Sequence, residues 1–364
     1  MYDENAVGVF IGRFQPFHLG HLEVLIDAYK KGIKKFILVI GSADAMRSPR
    51  NPWTVDQVAK FARLTIASYA DTWSIDADDD VIFLSADDNF ASDAEWAASL
   101  AASVEAAAGP DAVLYLLGTA KDSETQSYLL AFPQWVSAVC LPKDFDNGLE
   151  LCATKVRELL FEGGSEAPAL RLLSSWVAAP VVKALSNFTR TPEFVRIRSE
   201  YQHWKKEKAK WAGSPYPPVF VTVDAVVVQS AHVLLVERLR EPGKGMVALP
   251  GGFINQSEYL VDAMLRELKE ETKINESLEY LRTRVRVSQV FDYPNRSQRG
   301  RTITHAFLID LGLGRLPAVQ GGDDAKSAFW VPLAALDKYR GRFFEDHKHI
   351  ITAMTARLKN PKSY

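Results

Sequence analysis

GRFQPFHLGH, residues 12–21, directly follows the apolar run Val7–Ile11 and opens a helical stretch, Leu19–Lys31. More of the same pattern follows. Apolar runs recur at Phe36–Ile40, Val81–Leu84 and Ala112–Leu117, with helix-like stretches at Val55–Tyr69 and Ala91–Ala108 between them. Strand–helix alternation predicts an α/β domain, a doubly wound parallel sheet with helices on both faces. The quoted run then lies at the carboxyl end of the first strand, where open sheets bind ligands. His18 and His21 are three apart and share a face of the first helical turn. Backbone N–H groups are unpaired there and the helix dipole is positive, which suits a phosphate. Gly12 and Gly20 permit close backbone approach, Arg13 offers a cationic fork, and Phe14 lies in the same loop.

After Arg157 the pattern turns helical. Thr191-Pro192-Glu193 reads as an N-cap followed by proline at the first helical position, and this helix extends to about Trp211. Gly213-Ser214-Pro215-Tyr216-Pro217-Pro218 breaks it. The expected layout is a first domain over 1–190, a connecting helix and linker over 191–214, and a second domain over 215–364. That second part shows strand-like runs at Val219–Val228, Val233–Arg238, Arg284–Phe291 and Thr302–Leu311. A strong helix covers Glu258–Thr272 and a closing helix covers about Glu345–Leu358. This predicts an α/β/α sandwich with a mixed sheet.

A second chemical pattern lies in GGFINQSEYLVDAMLRELKEETKI, residues 251–274. On a helix, Glu267, Glu270 and Glu271 fall at i, i+3 and i+4, so the three carboxylates share one face. Like charges that close repel unless a cation lies between them. Oxygen ligands select a hard ion, Mg²⁺ or Mn²⁺. Gly251-Gly252 brings backbone close to a bound phosphate, and Arg266 can fix a carboxylate rotamer. Downstream, VFDYPNRSQRGRTITHAF (290–307) places Arg296, Arg299 and Arg301 where they can bind substrate phosphates or decorate an exposed hairpin.

Bulk properties exclude other classes. A net charge of −2 gives no general attraction to nucleic acid or anionic membranes. The only dense basic tract, Lys205–Lys210, reads as a solvated helix face. Cys140 and Cys152 form neither a metal spacing nor a disulfide framework. The acidic start MYDENAVGVF lacks the features of a signal peptide, and no apolar run matches a membrane span. The expectation is a soluble, cytoplasmic protein; a homo-oligomer stays open.

The run at 12–21 resembles the HxGH-type nucleotidyltransferases, whose domain is Rossmann-like. Together with GSADAMRSPRNPWT (41–54), LLGTAKD (116–122), FPQW (132–135) and ATKVR (153–157), it is similar to nicotinamide-mononucleotide (NMN) adenylyltransferase. The resemblance implies transfer of an adenylyl group from ATP to NMN, giving NAD and pyrophosphate. It implies that His18, His21 and Arg157 hold ATP phosphates, with Arg13 and Thr154 beside them. It puts Asn51, Trp53 and Trp96 on the NMN side, and Lys121 and Asp122 against the acceptor or the adenosine. Cys152 stands where this family often has Ser, and Thr119 where it tends to have His.

The run at 251–274 resembles the Nudix box, Gx5Ex7REUxEExGU, with Lys273 in place of the late glycine. This implies metal-assisted attack of water on a diphosphate, with Glu267, Glu270 and Glu271 as metal ligands and a general base from the box or from a loop. The two parts in this order look like the bifunctional NMN adenylyltransferase/ADP-ribose pyrophosphatase family, which implies ADP-ribose as the second substrate. Two alternatives keep the transferase: a Nudix domain acting on another nucleoside diphosphate derivative, or a non-catalytic ligand sensor.

Overall fold

The structure, a computed structural model, describes residues 3–71, 73–88, 93–118, 131–139, 152–164 and 166–359. Thr119, Lys121 and Asp122 lie outside these residues. The chain divides into two compact units, Met1–Ser199 and Glu200–Tyr364.

In the first unit the described elements run β1 (Ala6–Gly12), α1 (Leu19–Lys30), β2 (Lys35–Ile40), α2 (Val55–Ala67), β3 (Val81–Ser85), α3 (Asp93–Ala108), β4 (Val113–Gly118), β5 (Val136–Val139), α4 (Ala153–Gly163), α5 (Ala167–Leu173), α6 (Ala179–Phe188) and the first part of α7 (Pro192–Ala209), whose residues after Ser199 fall in the second unit. Its five strands pair in the order β3-β2-β1-β4-β5, every pair parallel. Phe36 to Ile40 are consecutive and all fully buried, so β2 is covered on both faces. On one face Val9, Ile37, Val39, Leu114 and Leu116 pack against Leu100, Ala101 and Val104 of α3. The strand order reverses beside β1, because β2 and β3 lie to one side and β4 and β5 to the other. Helix α1 begins at this switch point. The short β5 carries too few residues for a periodicity to be read from sequence.

The second unit contains β6 (Val219–Gln229), β7 (His232–Arg238), β8 (Val247–Ala248), β9 (Gly251–Phe253), α8 (Leu260–Thr272), α9 (Leu278–Thr283), β10 (Val285–Phe291), β11 (Arg301–Asp310), β12 (Ala325–Pro332), a 3₁₀ turn (Leu333–Tyr339) and α10 (His347–Lys359). The sheet order is β10-β11-β6-β7-β12, with β8 on β7 and β9 on β6. The β6–β11 pair is parallel and its neighbours are antiparallel, so the sheet is mixed. Strand β6 shows how a period of two builds the sandwich. Val223, Ala225 and Val227 meet Ala263, Met264, Leu265 and Leu268 of α8. Val226 and Val228 belong to the opposite core, with Ile350, Ile351 and Met354 of α10.

Helix α8 starts at Leu260, not at Glu258 as its sequence suggests. Glu258 stays in the preceding loop because its carboxylate accepts the Asn255 N–H at 2.6 Å and the Arg266 fork.

Candidate active sites

The first site is built at the β1–α1 junction. His18 is the N-cap of α1, and its Nδ1 accepts the Gly20 N–H at 3.1 Å. His21 returns the favour: its Nδ1 accepts the His18 N–H at 3.2 Å. This is a capping box made from two imidazoles. A ring nitrogen that accepts a backbone N–H carries no proton of its own, so the proton of each neutral ring sits on Nε2. The two rings stack at 3.7 Å, which fixes both in one orientation. Phe14 holds them from behind. It is buried, lies edge-on to His21 at 4.9 Å and to Phe10 at 5.1 Å, and adopts a φ of 50°. Its place is thus under the imidazoles. Gly12 accommodates that ring, since a Cβ there would come within 2.9 Å of Phe14.

Arg157, from α4, reaches the same loop. Its guanidinium donates to Gln15 O at 2.6 Å and to Thr154 Oγ1 at 3.0 Å. Burial, then the charges of Arg13 and Arg50, push its pKa down to about 9, so it stays charged at neutral pH. Three guanidiniums drawn together define an anion site. Sequence reasoning missed Arg50. It sits in the 41–54 run, and the only signal was its position in Ser-Pro-Arg-Asn-Pro, a loop stiffened by two prolines. Asp88 feels the charges of Arg13 and Arg50; burial, with repulsion from Asp44, raises its pKa despite a hydrogen bond from Ser42 and the pull of those two arginines. Cys152 is the N-cap of α4, yet its side chain makes no capping bond.

The expected NMN-side residues separate. Asn51 stands in a turn closed by reciprocal backbone bonds with Ser48, and its Oδ1 is buried with no hydrogen-bond partner among the described residues. Trp53 is a correction. It is 2% exposed, packed on Phe61 and Phe188, so its face is not available to stack on a ring. Its backbone is bound at both ends by the Gln15 amide, 2.9 and 3.1 Å, which ties the 41–54 loop to the histidine loop. Trp96 is half-buried on the α3 face of the sheet, beside Phe132.

The second site is organised by Arg266. Its guanidinium grips both oxygens of Glu258 (3.0 and 2.7 Å), Glu267 at 2.7 Å and Glu270 at 3.1 Å. This hold keeps the Glu258 pKa down to about 2. Glu271 is separate, buried, and accepts the Gly251 N–H at 3.0 Å. Burial pushes its pKa up to about 8, with Glu267 and Asp224 adding repulsion against the help of Gly251 and Arg238. Burial also raises Glu267. The glycine pair is a packing requirement. A Cβ on Gly251 would lie 2.1 Å from Val223 O, and one on Gly252 would lie 2.7 Å from the Glu267 carboxyl carbon.

Among the described residues no ligand cluster is already closed around a metal position. Glu267 and Glu270 are turned onto Arg266, and Glu271 onto backbone. The donor set nonetheless fits a hard divalent cation: it is all oxygen, and buried carboxylates with raised pKa gain most from a cation that replaces their protons. Lys273 caps α8 in the left-handed conformation, φ 46°, and its N–H bonds Lys269 O at 3.0 Å. The missing glycine thus falls at the helix exit, where a left-handed residue is required, two residues past Glu271.

The basic hairpin is corrected in part. Arg296 is fully buried in a two-pronged pair with Asp346, 2.8 and 2.7 Å, and reaches no open surface. Arg301 leans on Asp292, bonding its carbonyl oxygen and facing its carboxylate at 3.6 Å. Arg299 alone of the three is aimed at aromatic rings, Phe253 and Phe344.

Fold and sites together define a nucleotidyltransferase of the paired-histidine type joined to a Nudix hydrolase. Comparison with known proteins agrees. The cytidylyltransferase-like family matches residues 9–136 and the NUDIX domain matches residues 218–354. A bifunctional NMN adenylyltransferase/ADP-ribose pyrophosphatase from Francisella tularensis, solved with AMP and a manganese ion, is 33% identical with a TM-score of 0.83, covering 98% of this chain and 99% of that one. An ADP-ribose pyrophosphatase of Methanocaldococcus jannaschii is 37% identical over 36% of this chain and 70% of its own. A nicotinamide/nicotinic acid mononucleotide adenylyltransferase of Acinetobacter baylyi is 26% identical over 53% of this chain and 92% of its own. The chain belongs to the bifunctional NMN adenylyltransferase/ADP-ribose pyrophosphatase family. No helix among its described residues is long and apolar enough to cross a membrane.

Proposed function

We propose that the first unit joins ATP and NMN to give NAD and pyrophosphate, and that the second cleaves ADP-ribose with water to AMP and ribose 5-phosphate. The observation that carries the first half is the locked histidine pair beside three guanidiniums. A phosphate oxygen of NMN bonds to the α-phosphorus of ATP, the α–β bridging P–O bond breaks, and pyrophosphate leaves with the electron pair. No protein nucleophile is needed, so positioning and charge do the catalysis. His18 and His21 present Nε2–H donors to phosphate oxygens. Arg157, Arg13 and Arg50 balance the charge that passes to pyrophosphate. The buried Asn51 Oδ1 suits an amide N–H donor such as the carboxamide of NMN.

In the second unit Arg266 presets the box and Glu267, Glu270 and Glu271 would hold Mg²⁺ or Mn²⁺. That cation, when bound, withdraws charge from the diphosphate. A water oxygen bonds to one phosphorus, the P–O–P bridge breaks, and a proton leaves the water. NAD also contains a diphosphate, so rapid NAD hydrolysis would undo the first reaction. NAD is therefore expected to be a poor substrate.

The test incubates the full chain with ADP-ribose and Mg²⁺ beside a Glu270→Gln variant, with ATP and NMN in a parallel reaction. AMP and ribose 5-phosphate from wild type alone, with NAD made by both proteins, is the expected result. No AMP from a wild-type sample that makes NAD would overturn the ADP-ribose assignment.

A further inference from the structure

His347 opens α10 and is 7% exposed, so its imidazole sits inside the second unit. Its Nδ1 accepts the N–H of Leu249 at 2.9 Å, a buried bond between residues 98 positions apart. Burial pushes its pKa down to about 3, so the ring is neutral. A neutral ring that accepts at Nδ1 carries its proton on Nε2. That Nε2 faces Asp224 Oδ1 at 4.0 Å, and Asp224 Oδ2 accepts the Thr304 hydroxyl at 2.6 Å. Phe344 lies edge-on to the imidazole at 5.6 Å, and its own N–H donates to Val247 O at 2.8 Å.

What His347 holds is the turn in front of the box. Three consecutive residues there are anchored by three different elements. The Leu249 N–H goes to His347 of α10, Pro250 O accepts the Ala225 N–H of β6 at 2.8 Å, and the Gly251 N–H goes to Glu271 of α8 at 3.0 Å. Gly251 also lies against Asp224, since a Cβ on it would come within 2.8 Å of Asp224 Oδ1. The next residue, Gly252, borders the Glu267 carboxylate. Leu249 is 2% exposed. Removing its acceptor strands a buried N–H, and the turn relieves that only by moving, which carries Gly251 away from Glu271.

We propose that His347 is a positioning residue for the hydrolase: by holding the Leu249 N–H it sets the glycine turn, and through Gly251 it sets the Glu271 carboxylate for the divalent cation. The proposal rests on the diphosphate-hydrolase reading above and extends it to a side chain that acts through the backbone of the turn.

The experiment uses the full chain with two opposed variants. His347→Asn keeps an acceptor where Nδ1 stands and gives up the ring. His347→Phe keeps a ring and gives up the acceptor. NAD synthesis from ATP and NMN checks each preparation, and calorimetry checks that the second unit is folded. His347→Phe is expected to lower kcat for ADP-ribose about 10- to 100-fold with KM within about threefold, and to weaken Mn²⁺ binding, titrated by electron paramagnetic resonance, about tenfold or more. His347→Asn should bring both back to within about threefold of wild type. A side chain that only fills space gives the reverse order, with Asn the poorer variant, and that result overturns the proposal. So does a folded His347→Phe protein within about twofold of wild type in kcat and Mn²⁺ affinity. If His347→Phe does not fold, wild type decides. Coupling is reciprocal, so saturating Mg²⁺ must slow hydrogen exchange at the Leu249 amide about tenfold, and unchanged exchange overturns the proposal. If wild type does not turn over ADP-ribose, the substrate assignment fails separately, and the Mn²⁺ titration alone judges His347.

Discussion

Glu271→Gln should abolish diphosphate hydrolysis yet make the metal-free second unit more stable. Glu271 is 6% exposed, and its pKa rises from 4.5 to about 8 chiefly through burial. The folded chain therefore keeps a proton that the unfolded chain has lost. Stability from that proton is fully present below pH 4.5 and disappears as pH climbs toward 8. Linkage puts the resulting penalty at about 3 kcal/mol at pH 7 and about 1 kcal/mol at pH 5. Glutamine has nothing to ionise, and its carbonyl can still accept the Gly251 N–H. Calorimetry of the full chain in EDTA should show one transition that Mn²⁺ raises in wild type, which marks the box unit. In the variant that transition should lie roughly 6–12 °C higher than wild type at pH 7 but only a few degrees higher at pH 5. Mn²⁺ should move it much less. An equal shift at both pH values, or none, would refute the idea that a buried carboxylate is kept there at the expense of stability.

Three other substitutions probe separate features. Gly252→Ala pushes a methyl into the Glu267 carboxylate, 2.7 Å away, and should cut hydrolysis about 10- to 100-fold while NAD synthesis is unchanged. Lys273→Gly relieves a left-handed lysine and should raise the stability of the box unit by about 0.5–1 kcal/mol with hydrolysis unaltered, read from the same calorimetric transition. Arg157→Lys loses the fork that spans Gln15 O and Thr154 Oγ1, so kcat/KM for ATP should fall about 10- to 100-fold.

Both halves announced themselves locally. A strand followed at once by GRFQPFHLGH, and carboxylates at 267, 270 and 271 within little more than one helical turn, are local patterns, and neighbours in sequence must be neighbours in space there. Strand β6 shows the same legibility, because its alternating Val and Ala positions have to face two different cores. The weak strands β5, β8 and β9 were invisible, since pairing with longer neighbours holds them and their own pattern does not.

The sequence by itself determined which local machines the chain contains: a phosphate-binding helix start and a carboxylate helix. Only the tertiary structure decided which distant side chains serve them. It turned Trp53 into the core, spent Arg296 on Asp346, and brought Arg50 to Arg157. The physical reason is that arginine and tryptophan carry no fixed role. Their task is set by burial and by the charge across from them, and residues far apart in the chain supply both.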